Sequence, residues 1–132
     1  MSAAPDGLER WHAFVASRDP ADLDAALNDD AVFESPVVHT PQAGRALVRM
    51  YLLGALMTLG NDTFRYLGEW RAERSAVLEF ACEVDGIVVN GVDMIWWDEA
   101  GLITRFKVMI RPLKAINLLH QKMAAMLQAM KG

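Results

Sequence analysis

The stretch SAVLEFACEVDGIVVNGVDMIWW, Ser75 to Trp97, reads as two β-strands joined by a two-residue turn. Asp85-Gly86 between alternating apolar runs is a strong hairpin signal, because both central residues of that turn need positive φ. With the turn there, Val84 opposes Ile87, Cys82 opposes Val89, Phe80 opposes Gly91 and Leu78 opposes Asp93. Opposed residues share a face. One face therefore carries Leu78, Phe80, Cys82, Val84, Ile87, Val89, Gly91, Asp93, Ile95 and Trp97, and Asp93 is its only charge. The other face carries Glu79, Glu83, Asn90, Val92, Met94 and Trp96. A carboxylate among apolar neighbours is costly unless something holds it.

Outward from the hairpin the same period of two continues. TFRYLGEWRAE (63–73) precedes it as a strand, and LITRFKVMIR (102–111) follows it after a turn at Asp98–Gly101. Setting Asp93 opposite Phe106 adds Thr104, Phe106, Val108 and Ile110 to the apolar face. Arg105, Lys107, Met109 and Arg111 then join the mixed one. Upstream the period is helical. Asp6 with Glu9 forms a capping-box pattern ahead of Leu8, Trp11 and Val15. Asp19 and Pro20 open a second helix. AVFESPVV (31–38) is a short strand interrupted by Pro36, and a third helix is expected to open at Thr40-Pro41 and close at Gly60. Pro112 ends the last strand. A final amphipathic helix follows, with Ile116, Leu119, Met123, Met126 and Met130 on one stripe. Helices first, then an antiparallel meander, then one helix is an α+β order, with helices gathered on one face of a curved sheet.

The 132 residues fit one domain spanning 1–132, and 53% hydrophobic against 23% charged residues is a globular balance. A net charge of −4 without a basic block disfavours nucleic acid. The single Cys82 excludes an intrachain disulfide and fits a reducing compartment. MSAAPDGLER lacks the pattern of a signal peptide, and MYLLGALMTLG is too short to span a bilayer. A cytoplasmic protein with no membrane association is expected.

Three readings of Asp93 compete. It is a structural acid held by a backbone or tyrosine partner, or it lines a pocket with a raised pKa, or the register slips and it is exposed. His39, in SPVVHTP, is a candidate general base near the rim of the apolar face, set against an ordinary loop histidine. His120 lies beside the stripe of the last helix, and His12 points away from Trp11's face. The three histidines have no metal-binding spacing, and no phosphate loop or other cofactor motif is present, so neither metal nor cofactor is expected. Ser35, His39 and Asp93 name the residue types of a hydrolase triad without its nucleophile elbow. Cys82 reads as a core thiol.

LNDDAVFESP, AGRALVRMYL and GVDMIWWDEAGLITRFKVMI, together with the helix-helix opening, resemble the NTF2-like superfamily, in its SnoaL-like and ketosteroid-isomerase-like branch. The resemblance implies a cone: a curved antiparallel sheet wrapped by three N-terminal helices, with a C-terminal helix added and an apolar cavity open at one end. It further implies that the isomerase's oxyanion-hole aspartic acid falls on Asp93, its first-helix tyrosine on Trp11 and its general-base aspartate on Ser35. The neutral aspartic acid of ketosteroid isomerase is an established example, not a deduction from this chain. Trp11, Phe33, Ser35, Tyr51, Phe80, Phe106 and Val108 are the residues expected to line the cavity. The branch also implies a homodimer through the outer sheet face. The expected function is binding of an apolar small molecule, with isomerase- or cyclase-like proton transfer by Asp93 and His39 if the protein is an enzyme. The alternative is a non-catalytic ligand-binding or dimerisation module.

Overall fold

The structure, a computed structural model, describes residues 5–131. The first four residues of the segment read for a leader, and the side chain of Met130 at the end of the expected stripe, lie outside the described residues. The elements run α1 (Gly7–Ser17), α2 (Pro20–Ala26), β1 (Leu27–Glu34), β2 (Gln42–Ala43), α3 (Arg45–Leu59), β3 (Arg65–Arg71), β4 (Ser75–Val84), β5 (Ile87–Trp97), β6 (Ile103–Arg111) and α4 (Leu113–Lys131). The strands form one curved sheet in the order β2-β1-β6-β5-β4-β3. The four helices leave its outer face open, giving the NTF2-like cone.

Local chemistry sets the helix starts. Asp6 accepts from the Glu9 N–H at 2.9 Å and the Glu9 carboxylate reaches back to the Asp6 N–H, which closes the capping box on α1. Asp19 caps α2 by accepting from the Ala21 N–H, with Pro20 in the first turn. The third helix departs from expectation. Its first residue is Arg45, not Pro41, because Gln42 and Ala43 pair with Phe33 and Val32 as β2. Gly44 then makes the break at φ 103°, its N–H donating to the Ala31 carbonyl at 2.9 Å.

The central hairpin has the expected register, from Val84 opposite Ile87 to Leu78 opposite Asp93. Asp85 (φ 52°) and Gly86 (φ 77°) supply the two left-handed residues of its turn. On β6 the pairing differs from expectation by two residues: Asp93 opposes Val108, and Phe106 opposes Ile95. A slip of two preserves the faces, because side chains alternate with that period. A bulge after Trp96 changes the far end, where Trp97 pairs with Ile103. Ile103 is consequently the buried residue there. Thr104 is only half-buried and turns its hydroxyl to the Trp96 carbonyl. β1 joins the sheet parallel to β6, with Phe33 level with Phe106 and Glu34 with Lys107.

The core lies between the inner sheet face and the helices. Leu8, Trp11 and Phe14 of α1, Leu23 of α2, Val48 and Leu52 of α3 and Leu119 of α4 cover Leu78, Phe80, Val89, Ile95 and Phe106. Burying each large apolar side chain contributes about 1.5–3 kcal/mol. Asp93, 7% exposed, is the only charged residue buried among those described.

Candidate functional site

Beneath α3 and α4 the packing stops short of filling the cone. A cavity of about 250 Å³ remains, where a single water would need only about 10–15 Å³. Trp11, Phe33, Ser35, Tyr51, Phe80, Asp93, Phe106 and Val108 all border it. So do residues the sequence did not single out for this role, chiefly Tyr66, Phe64, Leu56 and, on α4, Leu127. The wall is aromatic and aliphatic, and the rings brace one another. Trp11 and Phe106 lie 4.6 Å apart between centroids, and Phe33 stacks on Tyr51 at 5.4 Å.

Three side chains form a polar relay in this wall. The indole N–H of Trp11 donates to the Tyr66 hydroxyl oxygen at 2.9 Å, and the Tyr66 hydroxyl donates to Asp93 Oδ2 at 2.9 Å. Chemistry fixes the direction. An indole nitrogen can only donate, so the tyrosine oxygen accepts from it and spends its one hydrogen on Asp93. Oδ2 is thereby an acceptor, and the proton of a neutral Asp93 belongs on Oδ1. No hydrogen bond to Oδ1 exists among the described residues. No fully buried side-chain N or O atom there lacks a partner either, so Oδ1 stays accessible, and the space Asp93 borders is the cavity.

Burial pushes the Asp93 pKa up from 3.8 to about 7, opposed in part by the Tyr66 hydrogen bond, which favours the carboxylate. The Tyr66 hydroxyl is raised well above its ordinary range, first by burial and then by the nearby Asp93 charge. Tyr66 therefore remains a donor. Asp93 changes charge near neutrality, a property that marks functional carboxyls.

The sequence reading missed Tyr66. Its strand, β3, is bulged between Tyr66 and Gly68, so Tyr66 opposes Phe80 while Gly68 opposes Glu79. The alternation of Phe64 and Tyr66 with Arg65 and Leu67 was the available signal: it puts a tyrosine on the apolar face beside a buried acid.

Ser35 borders the cavity at the end of β1, and its Oγ accepts from the Val37 N–H at 2.9 Å and the Val38 N–H at 3.2 Å. This turn carries the chain outward, so His39 is exposed and does not border the cavity. The geometry thus separates His39 from Asp93 and does not support it as the base. His120, on the exposed side of α4, does reach the cavity edge. His12 pairs with Glu69 at 2.7 Å on the surface. Cys82 is buried, and burial raises its thiol pKa. No cluster of three metal-binding side chains occurs among the described residues, and no described helix is long and apolar enough to cross a membrane.

Comparison with known proteins places this geometry. A family model described as a SnoaL-like domain matches residues 8–106. A steroid delta-isomerase from Pseudomonas aeruginosa is 38% identical, with 93% of this chain and 90% of that one covered and a TM-score of 0.87. A protein with a cystatin-like fold from Silicibacter pomeroyi is 31% identical, with 90% and 83% covered and a TM-score of 0.82. A protein with a ketosteroid isomerase-like fold from Catenulispora acidiphila is 13% identical, with 86% and 91% covered and a TM-score of 0.61, a likeness of fold alone. The search of curated proteins found no match.

Proposed function

The chain belongs to the SnoaL-like family, and from that premise we propose that it binds an apolar, carbonyl-bearing small molecule in the cone. Asp93 donates a hydrogen bond from Oδ1 to the ligand's carbonyl oxygen. The observation that carries this reading is the relay, which leaves the proton of a neutral Asp93 on the one oxygen open to the cavity. A neutral acid aimed at a carbonyl stabilises the negative charge that grows on its oxygen when a proton leaves the adjacent carbon. The chemistry proposed is therefore isomerase- or cyclase-like proton transfer. The 38% identity to a protein named as a steroid delta-isomerase supports that class.

A second reading, binding without turnover, has a specific observation in its favour. Among the cavity-lining residues Asp93 is the one carboxyl, and the one imidazole, His120, lies at the periphery. Ser35 stands where the resembled isomerase has its base.

Both readings are tested with a conjugated steroid enone as binding probe and its unconjugated isomer as trial substrate. Asp93→Leu is expected to weaken enone binding at least tenfold. Asp93→Asn keeps a donor and so keeps binding, but as a weaker donor it supports less charge on the carbonyl oxygen and so slows any isomerisation. Unchanged enone affinity in Asp93→Leu overturns the proposal. Binding without isomerisation in the wild type selects the second reading.

We also propose a cytoplasmic homodimer through the outer sheet face. Val88 and Met109 are exposed there, and Val92, Met94 and Trp96 are half-buried. That apolar content supports burial against a second copy.

A further inference from the structure

A proton that leaves the carbon beside a bound carbonyl needs an acceptor, and Asp93 is not that acceptor while it donates from Oδ1. The other polar side chains of the cavity wall are occupied or are donors. The Ser35 oxygen accepts from the Val37 and Val38 N–H groups, and the Tyr66 hydroxyl gives its hydrogen to Asp93. Tyr51, stacked on Phe33, offers a phenol, which donates hydrogen bonds and is not a base near neutral pH. The remaining group is the imidazole of His120 on α4, an element that lies outside the matched residues 8–106.

Helical spacing explains how an exposed residue borders the cavity. Met123, Ala124 and Leu127 border it as well, three, four and seven positions beyond His120. Residues at that spacing share one side of a helix. Leu119, one position earlier, also borders the cavity and is buried, so the helix turns from core to rim between the two. The His120 ring has no hydrogen-bond or ion-pair partner among the described residues. A neutral imidazole there has a nitrogen lone pair free to accept a proton. Asp93 stands on β5, and α4 lies over the same inner sheet face. A flat ligand between them meets the acid from the sheet and the imidazole from the helix.

We propose that His120 is the catalytic base, taking a proton from the carbon between the carbonyl and the double bond of an unconjugated enone. This rests on the reading of Asp93 as a donor to that carbonyl. The C–H electron pair becomes a new C=C bond, and the carbonyl π pair moves to oxygen, where the Asp93 Oδ1–H stabilises it. The imidazolium then returns the proton to the far carbon of the old double bond, whose π pair shifts to bind it. The oxygen re-forms the carbonyl, and the product is the conjugated enone. No proton is gained or lost, and no co-reactant is needed.

The test follows conversion of the unconjugated steroid enone by ultraviolet absorbance, and binding of the conjugated isomer by tryptophan fluorescence quenching. His120→Ala is expected to bind the conjugated enone within about twofold of the wild type. Its kcat should fall at least about a hundredfold, the worth of a general base. Added imidazole should restore part of that rate in proportion to its concentration, because the emptied position is at the rim. His120→Gln keeps a polar side chain of similar length without a usable base, and should be equally slow. A rate kept in His120→Gln, or one that imidazole does not restore in His120→Ala, overturns the role of His120. A wild type that binds the conjugated enone without converting its isomer overturns it too. In each of those outcomes, weakened enone binding in Asp93→Leu still upholds the reading of Asp93. Unchanged enone affinity in Asp93→Leu overturns both.

Discussion

The Tyr66 hydroxyl stands 2.9 Å from Asp93 Oδ2 and, because Trp11 donates to its oxygen, has only Asp93 to give its hydrogen to. This contact decides which oxygen of the acid faces the cavity as a donor. It also makes the charged form of Asp93 less unfavourable than burial alone would leave it.

The first consequence is a pH dependence of stability. Asp93 holds its proton to about pH 7 when folded, against an ordinary 3.8. The folded state therefore binds more protons between these values, and stability falls as pH rises through that window. The stabilising difference is fully present below about pH 4 and lost by about pH 7. A shift of about three pKa units corresponds to roughly 4 kcal/mol. Asp93→Asn removes this dependence. Urea unfolding of both proteins at pH 5 and pH 8 should show the wild type losing stability relative to Asp93→Asn at the higher pH. Glu34 and Asp98, whose pKa values are lowered by Arg105 and by the Leu102 N–H respectively, are common to both proteins and cancel in the comparison.

Tyr66→Phe removes the hydrogen bond that favours the Asp93 carboxylate, so the Asp93 pKa should rise further. It also leaves the Trp11 N–H without its acceptor, at a cost of roughly 1–3 kcal/mol. Carboxyl carbon NMR and chemical denaturation measure the two effects. An Asp93 pKa that falls in Tyr66→Phe would contradict the direction assigned to the relay.

The void itself can be closed. Ala55 of α3 borders the cavity, and Ala55→Phe should fill part of it. Enone binding should be lost while the melting temperature stays the same or rises, since the new ring occupies existing space. A melting temperature reduced by many degrees would mean that the space is not available.

Beyond the cavity, the Asp98 carboxylate fixes the β5–β6 turn. It accepts from the Leu102 N–H at 3.0 Å and from Asn28 Nδ2 at 2.9 Å, tying that turn to the start of β1. Asp98→Ala should cost about 1–2 kcal/mol of stability and leave ligand affinity unchanged. A proportionate loss of binding would show that the turn reaches the site.

The outer face gives a prediction about assembly. Met109 is 52% exposed at its centre, and Met109→Lys should shift sedimentation from dimer toward monomer. A wild-type protein that sediments as a monomer would remove the proposed interface.

Much of the fold was legible because its signals are local. Asp85-Gly86 set the hairpin register, and Asp6 with Glu9 and Asp19 with Pro20 marked the helix starts. Asp93 was legible for the same reason, as the one charge on an alternating apolar face. Non-local pairing was less legible. The two-residue pairing of β2 with β1 shortened α3, and the bulge at Trp96 replaced Thr104 by Ile103 in the core. Tyr66 escaped notice because its partner lies 27 residues away across a bulged strand. His39 sat near Ser35 in sequence, but the turn capped by Ser35 carried it to the surface.

The central claim is that Asp93 is a buried acid turned toward the cavity and neutral below about pH 7. Titration of its side-chain carboxyl carbon by NMR in the ligand-free protein, assigned through Asp93→Asn, tests this most directly. The expected midpoint is about 7. A midpoint near 4 would mean that Asp93 is an ordinary carboxylate, and the donor role built on it would fall.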